Sequence, residues 1–269
     1  FLPGSAWNEM RREALDKLLQ KRSEPAPLAT KEITLPEYAE HEVGMIPQLA
    51  ARFETAAQLP GAEYLAKLRY LILPIREADA VPQPLRCKTL LELPRAAFGT
   101  VEPDTMRRLA ALEGSGFAGV VANNLAQFGY ASPLPVFGGL GLNVTNPMSA
   151  AEYVCLGACG LLVQPETALT AMRAVAPRQK DGTPVPTAAL CYGHLPLMLT
   201  RACPLRNVRT SCAGCTHKGK LRDRKGRDFP VRCSAPGSAG MRTVFNPVPL
   251  YMGDRLTEMP VDLAVAAFT

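Results

Sequence analysis

From about residue 48 onward, short apolar runs alternate with amphipathic ones, and this alternation limits the folds open to the chain. Strand-like runs fall at residues 49–54, 70–75, 89–93, 117–122, 136–144, 160–164, 187–192 and 262–268. Helical spacing of apolar residues fills several gaps between them, at 56–67, 103–113, 149–158 and 167–176. Strands that alternate with helices favour a parallel sheet with crossover connections, and about eight such strands suit a closed barrel. The expected fold class is α/β: a (β/α) barrel-like domain with parallel strands, an N-terminal helix, and an irregular cysteine-rich metal-binding segment. With 47% hydrophobic residues in 269, the chain can bury a core without disulfide staples.

Four regions follow. Residues 1–28 read as a helix and linker: Ser5 can cap it, Trp7, Met10, Ala14, Leu15, Leu18 and Leu19 recur at helical spacing, and Ser23-Glu24-Pro25-Ala26-Pro27 breaks it. Residues 29–200 hold the barrel-like domain. Residues 201–235 form the basic four-cysteine segment, and 236–269 return a last strand to the sheet.

Four of the eight cysteines crowd into that third region, spaced C-x8-C-x2-C-x17-C: Cys203, Cys212, Cys215 and Cys233. A C-x-x-C turn sets two thiolates on one side of a tight loop, as tetrahedral zinc or an iron–sulfur cluster requires. The surrounding sequence is rich in Gly, Pro and charge, so a metal that holds it together is physically reasonable. A redox pair would be expected at a helix start instead. We prefer a metal site over disulfides or free thiols. His217, two residues past Cys215, suits a surface or supporting role. Cys87, Cys155, Cys159 and Cys191 stand in apolar or strand-like settings and read as small core residues.

Charge concentrates in the same place. Residues 201–232 carry ten bases and only Asp223 and Asp228 as acids, a local +8 in a chain whose total is +6. A positive patch of this kind calls for an anionic partner, RNA first. The candidate contacts are Arg201, Arg206, Lys218, Lys220, Arg222, Arg224 and Lys225; the alternative is a solvated loop that balances the thiolates.

In barrels and open parallel sheets chemistry gathers at the carboxyl ends of the strands. There the sequence places Asn124, Asn143, Asn146, Glu166, Tyr192 and His194, which could line a pocket for a small polar ligand. The competing reading makes the asparagines helix caps or turn-formers. The Gly138–Gly141 run is no dinucleotide fingerprint, and neither G-x-S-x-G nor H-E-x-x-H occurs.

Several stretches together resemble the C-terminal portion of the U32 family, the collagenase-like peptidases, in its long subgroup with a domain inserted in mid-chain. They are FLPGSAWNEMRREALDKL at 1–18, NNLAQF at 123–128, GLGLNVTNP at 139–147, CYGHLPLMLTRACPLRN at 191–207, CAGC at 212–215, LRDRKGRDFPV at 221–231 and FNPVPLY at 245–251. The combination is specific where no single piece is. The resemblance implies that Cys203, Cys212, Cys215 and Cys233 hold one metal centre, a [4Fe-4S] cluster in the cell, with zinc the alternative, above all after aerobic purification. Family members include oxygen-independent hydroxylases acting on ribosomal RNA, transfer RNA or a quinone precursor, and the long subgroup is similar to an enzyme that hydroxylates a cytidine of 23S ribosomal RNA. Other members are labelled peptidases. The implied partners are ribosomal or transfer RNA and the N-terminal lobe of the same full-length protein, with no membrane and a cytoplasmic location. Two departures stand out. Ala188 occupies the position where the family's peptidase signature has Glu, five residues before Gly193, and the chain starts where the family sequence is already under way. It therefore reads as one lobe, inactive alone, with a complete site needing the missing part; a zinc-stapled binding lobe and a peptidase are the other readings.

Overall fold

The computed structural model describes residues 3–25, 38–42, 44–130, 134–206, 212–234 and 240–269. The expected linker residues 26–28, and Arg209 of the basic run, lie outside them. Internal contacts divide the chain into residues 1–37 and 38–269.

In the first unit one helix, α1 (Gly4–Ser23), follows Pro3, and no side chain caps it. Ser5 thus sits in the first turn rather than at the cap. None of its residues is buried, so water can satisfy the first-turn N–H groups that a hydroxyl cap would take.

The second unit is a closed barrel. Its eight parallel strands are β1 (Gln48–Phe53), β2 (Tyr70–Pro74), β3 (Thr89–Glu92), β4 (Gly119–Ala122), β5 (Val136–Gly138), β6 (Ala158–Leu162), β7 (Thr187–Gly193) and β13 (Leu263–Phe268). They pair in the order β13-β1-β2-β3-β4-β5-β6-β7, and β7 closes on β13. The C-terminal strand enters between the first and the seventh, in register from Gln48↔Leu263 to Phe53↔Phe268. A short strand, β12 (Leu250–Tyr251), adds antiparallel to the end of β7. Helices α2 (Ala62–Leu65), α3 (Gln83–Arg86), α4 (Val101–Ala111), α5 (Pro147–Cys155) and α6 (Leu169–Arg173) lie in the crossovers. The expected helix over 56–67 is split at Pro60-Gly61 into a 3-10 turn (Ala56–Gln58) and α2, because proline removes a donor and glycine weakens the next turn. The expected run 136–144 stops as a strand at Gly138. Gly139 and Gly141 then press against Asn123, so closely that a Cβ on either would collide with it, and the chain turns.

Alternate residues face opposite sides of each strand. Leu71, Leu73, Leu91 and Leu93 pack outward with Leu109, Leu112 and Phe117 in one core cluster. Val144, Leu161, Val163, Ala189 and Ala264 build a second with Met172 and Val175. Inside the barrel Tyr70 meets Phe137 edge-on at 5.6 Å. Gly160 makes room for Phe137, since a Cβ there would stand 2.6 Å from the ring.

The region expected to be irregular carries strands. β8 (Pro196–Thr200), β9 (Lys218–Arg222), β10 (Asp228–Cys233) and β11 (Arg242–Phe245) form an antiparallel sheet in the order β8-β11-β10-β9. Its β9–β10 hairpin turns at Asp223–Gly226, where Asp223 Oδ1 accepts from the backbone of Lys225 and Arg227. Aspartate and a positive-φ glycine are what such a turn demands. The charge density that signals a loop in the sequence here decorates a sheet.

Among the four remaining cysteines only Cys191 is buried; Cys87, Cys155 and Cys159 are exposed. The core expectation fails for those three, which lie on exposed surface among the described residues. Burial pushes the Cys191 thiol pKa up.

Candidate functional site

At the carboxyl ends of the strands the inward positions turn from apolar to charged. Arg52 on β1 and Glu92 on β3 sit at the top of the lumen, joined by Arg52 Nε donating to Glu92 Oε2 at 2.9 Å. Arg52 Nη2 also reaches Glu54 Oε2 at 3.1 Å. Glu54 in turn pairs with Arg76, which donates to the Glu54 carbonyl at 3.1 Å. The result is a chain of alternating charges across the mouth. Burial alone would lower the Arg52 pKa, but Glu92 and Glu54 outweigh it and the net shift is upward. Burial would raise the Glu54 carboxyl, but Arg52 and Arg76 hold it below the usual carboxylate range.

The four-stranded sheet stands over this mouth. Residues directly opposite across antiparallel strands share a face, and the register aligns Leu199, Thr243, Arg232 and Lys218 in one row. Leu199, Thr243 and Arg232 line a cleft of about 260 Å³ together with Arg52, Glu54, Arg76, Glu92 and Arg95 of the barrel. Beneath it a second cavity of about 140 Å³ descends into the lumen between Ile72, Leu162, Leu190 and Val265. His194 lines that cavity. Its Nδ1 lies 2.7 Å from the Asn246 carbonyl, which can only accept, so Nδ1 carries a proton. In the neutral ring this leaves Nε2 as an acceptor.

The other expected pocket residues lie elsewhere. Asn124 caps a 3-10 turn by accepting from Ala126 N at 3.0 Å, and Asn146 caps α5 by accepting from Ser149 N at 2.9 Å. Asn143, in the left-handed conformation, accepts from Gln164 Nε2 at 2.9 Å, and with Glu166 it lines a shallow groove outside the mouth. Tyr192 is exposed, its ring 5.5 Å from Phe268. Of these six, His194 alone lines the lumen cavity. Sequence reasoning missed Arg52, Glu54, Glu92 and Arg95. The available signal was a charge at an inward, strand-ending position in ARFE and LELPR, which a closed barrel holds above its lumen.

The four cysteines lie at one end of the sheet. β8 ends at Thr200, β9 begins at Lys218 and β10 ends at Cys233, all on the same side. Cys203 follows β8, Cys212 and Cys215 precede β9, and Leu205 packs on Gly219, which draws the Cys203 turn across the sheet. The His217 backbone links two of them. Its N–H donates to Cys215 Sγ at 3.4 Å, and its carbonyl accepts from Cys233 N at 2.9 Å. His217 adopts a positive φ of 60° to do so. Cys215 N donates back to the Cys212 carbonyl at 3.1 Å. Four thiols, one already accepting a backbone N–H, suit a thiolate centre in donor chemistry. Among the described residues no three His, Cys, Asp or Glu side chains converge closely enough to hold a metal ion.

The expected RNA contacts are all exposed. Lys218, Lys220 and Arg222 alternate along β9, and Asp228 pairs with both Lys220 at 2.6 Å and Arg222 at 2.7 Å. Those hydrogen bonds depress the Asp228 carboxyl strongly. Arg224 and Lys225 form the hairpin turn. Arg201 stacks 4.6 Å from the Phe98 ring centre, and Arg206 closes the turn with Cys203. No helix among the described residues is long and apolar enough to cross a membrane.

Fold and site together define a closed eight-stranded parallel α/β barrel whose carboxyl mouth lies under a cysteine-bearing antiparallel sheet. No family model and no curated protein matches the chain. Among solved structures it is similar to the U32 peptidase Mk0906, at 12% identity over 92% of this chain and 98% of that one, with a TM-score of 0.47. It is also similar to the protein CitE from Mycobacterium tuberculosis, solved with magnesium and acetate, at 17% identity over 54% and 74% of the two chains and a TM-score of 0.33. The Bacillus cereus spore cortex-lytic enzyme SleL follows at 11% identity over 90% and 74%, with a TM-score of 0.35. Likenesses this distant carry no argument about activity, and the barrel assignment rests on the strand pairing itself.

Proposed function

We propose that this chain is the metal-bearing lobe of a U32-type enzyme that modifies RNA, of the oxygen-independent hydroxylase kind. One observation carries the reading: a basic, cysteine-bearing sheet stands over the carboxyl mouth of a parallel barrel, where such folds keep their chemistry. The motif set from YGHLPLM through C-x-x-C to DRKG supports the family. In this reading Cys203, Cys212, Cys215 and Cys233 hold one metal centre. A [4Fe-4S] cluster there supplies redox chemistry or a Lewis-acidic iron, whereas zinc would supply only a staple. The chain's own residues provide the rest: Arg52, Glu54 and Glu92 set a rigid charged rim, and His194 offers a fixed tautomer beside the lumen. The basic β9 strand and its turn meet ribosomal or transfer RNA, the N-terminal lobe completes the site, and the protein works in the cytoplasm. A peptidase has less to stand on, because Ala188 puts a methyl group, not a carboxylate, on the lumen wall.

The test is metal and sulfide analysis with an absorption spectrum on anaerobically purified protein. Iron with sulfide, lost in Cys215→Ser and kept in Cys155→Ser, is the expected result. One colourless zinc per chain on the same four cysteines would replace the hydroxylase reading with a stapled binding lobe.

A further inference from the structure

We propose that Arg95 and Arg232 form a phosphate-binding site in the cleft between barrel and sheet, filled by a phosphate of single-stranded RNA. The choice of RNA as the source rests on the function proposed above; the anion site does not.

The charged groups lining the cleft are Arg52, Glu54, Arg76, Glu92, Arg95 and Arg232. Both carboxylates are committed, Glu92 to Arg52 and Glu54 to Arg52 and Arg76. Two guanidinium groups are left over, one on each wall. Arg95 stands just past β3, where Glu92 and Arg52 act on it only at a distance; among the described residues it makes no ion pair or hydrogen bond. Burial lowers its pKa, as expected of a cation drawn from water without a partner. Arg232 lies opposite, on β10. Its Nη1 donates to the Val231 carbonyl at 3.1 Å, and its Nε–H is buried with no partner among the described residues.

A buried, unmatched donor on a cation is costly and asks for an acceptor. Two planar forks facing one cleft match the oxygens of a phosphate, which guanidinium binds in bidentate fashion. The register adds a reason to choose a polyanion. Lys218 pairs with Arg232 across the sheet, and Lys220 and Arg222 follow on the same face. A row of bases, offset at its far end by Asp228, therefore runs from the cleft along β9, where successive phosphates of a strand could lie.

The full chain would be titrated against a short labelled single-stranded RNA over a salt series, and its melting followed with inorganic phosphate. Neither arginine holds an ion pair among the described residues, so Arg95→Gln and Arg232→Gln should fold, as circular dichroism would show. Arg95→Lys keeps the charge but loses the fork. We expect each Gln variant to bind RNA several-fold more weakly, with a log–log salt slope flatter by about 0.7, the single-strand value for one phosphate contact. Arg95→Lys should keep the slope and lose part of the affinity. Phosphate should raise the melting temperature of the wild type and not of the Gln variants. RNA binding with unchanged affinity and slope in both Gln variants would overturn the site while leaving the RNA function standing. Phosphate protection confined to the wild type, without RNA binding, would keep the site and overturn RNA as its ligand. Equal phosphate protection of all variants would overturn the site.

Discussion

Replacing Arg52 with Met tests whether the charged rim holds the barrel mouth together. The substitution keeps length and apolar volume but removes the cation that Glu92 and Glu54 share. Glu54 retains Arg76, whereas Glu92 loses its only ion pair among the described residues. The Arg52 and Glu92 side chains are 22% and 18% accessible, below the range where solvent screening removes most of the effect. Breaking a fully buried pair costs about 3–5 kcal/mol. Partial exposure, and the nearby Arg95 charge, place this case at about 2–3 kcal/mol by the same reasoning. Urea unfolding at pH 7 should register that loss. Arg52→Met with Glu92→Gln should recover most of the stability. If the single variant were within about 0.5 kcal/mol of wild type, the size of a neutral surface change, or if the double variant were no better than the single, the rim would not be a coupled network.

Further outcomes follow from other parts of the molecule. Gly160→Ala should cost about 1–3 kcal/mol in chemical unfolding, because its methyl would overlap the Phe137 ring and the lumen must repack; a neutral effect would mean the lumen is loosely filled. The Glu54 carboxyl is lowered from 4.5 in the folded state, so its contribution is present in full above about 4.5 and fades as pH falls through the folded value. Glu54→Gln should therefore flatten the acid limb of the stability curve, and an unchanged limb would assign acid sensitivity elsewhere. Cys212→Ser should loosen residues 203–233 to hydrogen exchange, whereas Cys159→Ser, at an exposed site, should leave exchange unaltered.

Much of the architecture was legible in one dimension. Each of the eight expected strand runs overlaps a strand of the barrel, since an apolar run bounded by turn residues registers burial on both faces of a parallel strand. Boundaries were less legible where glycine acts at a distance. Nothing near residue 140 announces that Gly141 must approach Asn123, so the apolar run extends past the end of the strand at Gly138. The strands of the cysteine region were missed because Lys and Arg alternate along β9 with few apolar partners, so only its pairing to β10 reveals it. Cys87, Cys155 and Cys159 are exposed despite apolar neighbours in sequence, because local apolarity does not say whether another element covers the face.

For the site the division is similar. The sequence by itself determined the spacing of Cys203, Cys212, Cys215 and Cys233, the concentration of positive charge around them, and the repeated strand–helix unit, all of which are properties of neighbours along the chain. Only the tertiary structure decided that Arg52, Glu54, Glu92 and Arg95 meet under Arg232, that Asn124 and Asn146 spend their side chains on caps, and that His194 alone of the expected pocket residues lines the lumen cavity. Barrel closure is the physical reason. It brings β13 beside β1 across more than 200 residues of chain, turns alternate side chains into a shared lumen, and so creates charge pairings that have no counterpart in local sequence.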